Sequence, residues 1–152
     1  MFVLDNLEDP GRTSQDNRWQ FFTDGVMGGR SSGKVTIENF KGKTCYRMTG
    51  NVTTENNGGF IQMRVKIKPP IPANEYTGIY LIACGNNLKY AIHIRTPYTT
   101  LPWQYYNSKF LAKDQWEKII LPFNNFTKSN FYQPKQFSYN KIRTIGIVAG
   151  FS

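Results

Sequence analysis

Two segments of the chain join an acid or amide to paired glycines beside an aromatic ring, a combination suited to close backbone contact with a ligand. The first is Trp19-Gln20-Phe21-Phe22-Thr23-Asp24-Gly25-Val26-Met27-Gly28-Gly29-Arg30-Ser31, and the second is Glu55-Asn56-Asn57-Gly58-Gly59-Phe60, with Arg64 four residues further on. Paired glycines permit positive φ and let another backbone approach. The same residues also build tight turns in which Asx side chains bond their own backbone. The candidate binding residues here are Asp24, Gly28, Gly29, Asn57, Gly58, Gly59 and Arg64. A further group is His93, Arg95, Trp103 and Tyr105. Polar hooks beside flat rings suit a sugar or a peptide strand, although a solvated face with snorkelling arginines would carry the same residues. Asp24 is expected to orient a guanidinium in a bidentate pair. Asp24, Arg64 and Arg95 would then share one polar centre, on a concave face lined also by Gln62, His93, Trp103, Tyr105 and Tyr106.

Catalysis finds little support in these residues. Asp24 and Glu55 are the only acids within the two glycine segments, and paired-carboxylate chemistry needs two acids flanking a cleft. His93 has no obvious nucleophile near it in sequence. Gly28 to Lys34 matches the GxxxxGK of a phosphate-binding loop, but Val35 stands where Ser or Thr would hold magnesium, and a strand-like segment follows instead of a helix. Two cysteines and one histidine, Cys45, Cys84 and His93, cannot assemble a zinc site at these spacings. Sandwich loops offer carboxylates and carbonyls to calcium, but the ten acids form no DxDxDG-like cluster. The expectation is a binding protein, not an enzyme, with no cofactor and no bound metal.

The elements that must position these residues are strands. Lys34-Val35-Thr36-Ile37-Glu38 alternates polar and β-branched residues, and Thr44 to Gly50 returns after a turn at Lys41-Gly42-Lys43. Ile61, Met63, Val65 and Ile67 share one face of a strand and Gln62, Arg64, Lys66 and Lys68 the other. Pro69-Pro70-Ile71-Pro72 is expected to end it. Gly78 to Cys84 reads as a central strand, joined in a hairpin to Lys89–Arg95 by the turn Gly85-Asn86-Asn87. Trp103 to Phe110 reads as extended, Trp116 to Leu121 as a strand stopped by Pro122, and Ile142 to Val148 as the last apolar run. About eight short strands with little helix predict an all-β domain, a β-sandwich or jelly roll, over residues 1–152.

Composition agrees. The chain has 152 residues, 15% of them aromatic, with 13 Gly and 8 Pro. No run approaches the roughly 20 apolar residues that span a bilayer. The acidic start, with neither basic nor apolar leader region, predicts a cytoplasmic chain. The net charge is +9, which permits acidic partners or nucleic acid, yet no five basic residues run together and no nucleic-acid motif is present.

The order Trp19…Asp24-Gly25-Val26-Met27-Gly28-Gly29-x-Ser31, Gly50-x-Val52, Glu55-Asn56-Asn57-Gly58-Gly59-Phe60-x-x-x-Arg64 resembles the complex I intermediate-associated protein 30 family. Tyr90–Arg95, Phe110, Trp116, Leu121-Pro122-Phe123, Phe126 and Ile145-Gly146-Ile147 extend the likeness from about Trp19 to Gly150. It implies a galactose-binding-like sandwich and kinship with proteins that help assemble respiratory or photosynthetic membrane complexes. A protein partner, with the chain peripheral to such a complex, is therefore expected ahead of a carbohydrate, and a carbohydrate ahead of nucleic acid. Arg30 departs from the apolar residue common in the family, and the chain stops at Ser152 where relatives continue into a further strand.

Overall fold

A computed structural model of the chain describes residues 1–24, 29–52, 59–135, 137 and 141–150. Among them are ten strands and, as helix, single 3-10 turns at Ala73–Glu75 and Phe123–Asn125. The strands are β1 Trp19–Thr23, β2 Ser32–Phe40, β3 Lys43–Asn51, β4 Phe60–Pro72, β5 Gly78–Ala83, β6 Leu88–Arg95, β7 Tyr106–Ala112, β8 Glu117–Pro122, β9 Thr127–Lys128 and β10 Lys141–Gly150. Hydrogen bonding orders six of them as β1-β4-β10-β6-β7-β9, and β2-β3 and β5-β8 form two-stranded sheets. The chain is all-β, as its alternation predicts, with β1 and the two-residue β9 added to the expected strands. It divides into two compact units, residues 1–66 with 148–152 and residues 67–147.

In the first unit β2 and β3 pair from Ser32↔Asn51 to Phe40↔Lys43. Lys41 and Gly42 close the hairpin with φ of 47° and 85°, the two positive values that a tight turn matched to strand twist requires. β1 lies antiparallel to β4, Trp19 opposite Val65 and Thr23 opposite Ile61. Ile61, Met63 and Val65 are buried as their alternation requires. On the opposite row Lys66 and Lys68 are exposed as expected and Arg64 is half-buried, but Gln62 is buried. The Asp5 carboxylate anchors the N-terminal segment, accepting from Tyr46 Oη at 2.6 Å and Trp19 Nε1 at 2.8 Å. Burial and that carboxylate push the Tyr46 phenol up to about 12.

The second unit is built around rings. Phe137 packs on Tyr106, Phe123 and Phe126 with centroids 4.9, 5.1 and 5.8 Å apart, within the 4.5–7 Å range of favourable aromatic pairs. Ile92, Ile94, Phe110 and Leu121 are among the other buried side chains of this unit. Three expectations fail here. β4 runs on through Pro69 and Pro70 to Pro72; proline lacks a donor and is tolerated where the ladder does not need one. β5 is no central strand, because it pairs only with β8 in a two-stranded sheet that leaves Tyr80 and Ile82 exposed. Nor does Gly85-Asn86-Asn87 close a β5–β6 hairpin. Its Gly85 and Asn87 N–H groups donate to the carbonyls of Lys113 and Ala112, docking the turn on the end of β7 while β6 pairs with β7.

Candidate functional site

The sequence candidates fall in both units. Asp24, Gly29, Gly59 and Arg64 belong to the first unit and His93, Arg95, Trp103 and Tyr105 to the second. Gly28, Asn57 and Gly58 lie outside the described residues.

Asp24 is fully buried at the end of β1. Its Oδ1 accepts the Ser31 N–H at 2.9 Å. Oδ2 accepts Ser31 Oγ at 2.5 Å, the Gly59 N–H at 2.5 Å and the Phe60 N–H at 3.3 Å. The Gly29 N–H bonds the Asp24 carbonyl at 2.9 Å. Burial alone would raise this carboxyl; the hydrogen bonds from Ser31, Gly59 and Phe60 outweigh it and hold the group below the usual aspartate range. Instead of orienting a guanidinium, Asp24 pins the ends of both glycine segments to one point. Arg64 lies with its guanidinium 4.6 Å above the Phe22 ring, and Phe22 meets Phe60 edge to face at 6.0 Å.

Gly59 is bound into that arrangement by its own conformation. Its φ is 143°, a region that residues with a Cβ rarely adopt. Gly59→Val is therefore expected to unfold the protein at a lower temperature, by on the order of 10 °C. A thermal melt checks this, and an unchanged midpoint would show that the glycine is incidental.

In the second unit the strand period places His93 and Arg95 on the face of β6 opposite buried Ile92 and Ile94. His93 stands opposite Asn107 of β7. The His93 and Tyr105 rings stack with centroids 4.0 Å apart and planes 15° from parallel. Desolvation first, then the Arg95 cation, pushes the imidazole down to about 4, with a hydrogen bond to Asn107 opposing. The ring is thus neutral near neutral pH. Arg95 is a clamp: Nη1 donates to the carbonyls of Leu101 at 3.0 Å and Gln104 at 2.8 Å, and Nη2 to Pro102 at 2.9 Å. The same guanidinium sits 5.6 Å from the Tyr105 ring centre. In the 101–104 loop held by Arg95, Trp103 is exposed. Trp103 lies in that loop and not in a strand, since β7 starts at Tyr106. Tyr106 does not line the face: it is 1% exposed, and its hydroxyl donates to the Pro134 carbonyl at 2.7 Å.

Sequence reasoning missed Arg143. It extends from β10, where Nη2 reaches the Thr99 carbonyl at 3.5 Å and Nε is buried without a hydrogen-bond partner among the described residues. It missed Tyr98, Phe131 and Tyr132 as well, all exposed. The available signal was charge: no Asp or Glu occurs from Tyr76 to Lys113 or from Lys118 to Ser152.

Comparison with known proteins places this geometry. A family model described as complex I intermediate-associated protein 30 matches residues 9–151. No curated protein matches the chain. Among solved structures, the family 11 carbohydrate-binding module of the cellulosomal cellulase Lic26A-Cel5E of Clostridium thermocellum is similar at 16% identity and a TM-score of 0.70, covering 97% of this chain and 83% of the module. The family 11 module from the same organism, in complex with a β-1,3-1,4-mixed-linked tetrasaccharide, matches at 16% identity and a TM-score of 0.71, over 96% and 84% of the two chains. At this identity the likeness shows the fold alone, the jelly-roll class that the alternation predicts and the galactose-binding-like form that the family resemblance implies.

Proposed function

Because the chain belongs to the complex I intermediate-associated protein 30 family, we propose that it is a non-catalytic binding module that holds a protein partner of a respiratory or photosynthetic membrane complex during assembly. One observation carries the reading: the Arg95 clamp, which fixes a loop bearing an exposed Trp103 beside the stacked His93 and Tyr105. Rings and arginines held rigidly in advance are what protein interfaces use as anchors, because little ordering cost remains at binding. The chemistry of the acids and bases supports a non-catalytic role. His93 is neutral and stacked, and Asp24 is buried behind four donors, so neither presents itself to a substrate.

The test is capture from native membranes with the tagged full chain. Wild-type protein is expected to recover identifiable subunits of one membrane complex, and Trp103→Ser with Tyr105→Ala to recover them about tenfold less. Equal recovery by the variant would remove this face from the reading.

A carbohydrate partner is the second reading, favoured by exposed Trp103 beside Tyr105 and by the carbohydrate-binding modules that share the fold. Calorimetry with a β-1,3-1,4-mixed-linked tetrasaccharide separates the two. Sugar binding would be abolished by Trp103→Ser and nearly insensitive to salt, whereas nucleic-acid binding driven by the +9 charge would fall log-linearly with salt.

A further inference from the structure

We propose that the loop Ser129–Gln133 in the second unit, with Trp103 beside it, is a docking tip for an anionic lipid surface. Phe131 and Tyr132 are 81% and 86% exposed, the most exposed rings among the described residues, and Trp103 is 56% exposed. Phe131 and Tyr132 stand edge to face with centroids 5.4 Å apart. Trp103 belongs to the same tip because its carbonyl accepts Ser129 Oγ at 2.6 Å. Two adjacent rings held in water at such exposure are unfavourable unless something covers them.

The loop is built to lose water at low cost. Lys128 Nζ donates to the Phe131 carbonyl at 3.0 Å and the Gln133 carbonyl at 3.4 Å. The Tyr132 N–H donates to Asn130 Oδ1 at 3.1 Å, and Gln133 Nε2 to the Tyr105 carbonyl at 2.9 Å. Peptide groups already satisfied within the loop need not be desolvated bare when the tip enters a less polar layer. The Lys128 ammonium also lies 5.3 Å from the Phe131 ring centre, so cation and ring arrive together.

Charge identifies the surface. The second unit carries ten Lys and Arg against three acids, and none of those acids lies in the stretches that contain Trp103 and Ser129–Gln133. Lys128 contacts the loop and exposed Lys135 follows it in sequence; cations beside exposed Trp, Tyr and Phe favour the headgroup layer of an anionic bilayer. A protein groove would have to match two projecting rings; a headgroup layer accepts them without a preformed pocket. Trp103 is shared with the loop that Arg95 holds, but Phe131 and Tyr132 are not, so variants of those two rings test the tip apart from the partner reading.

Vesicle sedimentation with the full chain tests it. Wild-type protein is expected to bind vesicles of phosphatidylcholine with about 30% phosphatidylserine and not pure phosphatidylcholine vesicles. Phe131→Ser with Tyr132→Ser should weaken that binding at least tenfold, an effect on the order of two rings withdrawn from the interface. A melt of the double variant should match wild type, since both rings leave no core cavity. Lys135→Glu, an exposed position, should weaken binding several-fold and flatten the response to lipid charge, because fewer cations then meet the surface. Absence of binding to the anionic vesicles overturns the proposal, as does equal binding by wild type and double variant. So does binding to soluble polyglutamate as tight as to vesicles, which would assign the tip to an acidic protein.

Discussion

Asp24→Asn is expected to lower the melting temperature by on the order of 10 °C at neutral pH. The amide keeps the volume of the carboxylate but replaces one acceptor oxygen with a donor. Ser31 Oγ and the N–H groups of Ser31, Gly59 and Phe60 all donate toward this group, so two donors would face each other inside the fold. No rotation of the amide serves both sides, because Oδ1 and Oδ2 each receive at least one donor. The acid dependence follows from the same contacts. The folded carboxyl titrates below its ordinary 3.8, so its contribution is complete above that value and is lost as pH falls through the folded one. His93 acts in a higher window: between 6.5 and about 4 the unfolded chain binds a proton that the folded imidazole refuses, so stability falls as pH falls across it. Melts from pH 7 to pH 3 should show both losses in the wild type and a reduced loss below pH 4 in Asp24→Asn. Identical low-pH slopes would show that the carboxylate does not hold the two segments.

Arg95→Lys is expected to weaken partner binding about thirtyfold while moving the melting temperature by only about 3 °C. One ammonium is a point donor. It cannot span the carbonyls of Leu101, Pro102 and Gln104 that the two Nη atoms now reach together. Those carbonyls lie near solvent and rehydrate, so the fold pays little, but the loop that presents Trp103 loses its fixed geometry. A second variant separates charge from clamp. Arg95→Gln removes the cation that helps depress His93, so the imidazole should titrate above its present value of about 4, as NMR would read directly. Unchanged partner affinity in Arg95→Lys would show that the clamp does not organise the binding face.

What the sequence made legible was local and periodic. The β2–β3 hairpin and the buried row Ile61, Met63, Val65 and Ile67 follow from alternation and a two-residue turn. The same period places His93 and Arg95 on one face of β6. It also argues against Tyr106, because neighbours on a strand point to opposite faces and Tyr106 enters the core. Partnering was not legible. The turn at Gly85-Asn86-Asn87 reverses the chain, but which strand lies beside β5 depends on Glu117–Pro122, some forty residues later. The role of Asp24 was hidden for the same reason, since its donors come from residues 7 and 35–36 positions away. The contact of Arg143 was hidden too, since its Nη2 reaches the carbonyl of Thr99, 44 positions away.

Depressing His93 to about 4 also removes a means of control. It is the only histidine in the chain, and histidine is the side chain whose charge ordinarily changes across the cellular pH range. With it stacked on Tyr105 and held neutral, mild acidification does not charge His93 on this face of β6. Under the proposed binding role, adhesion through this face is constitutive. Its strength is set from outside the protein, by ionic strength, through screening over about 8 Å at physiological salt, and by how much negative charge the opposing surface carries.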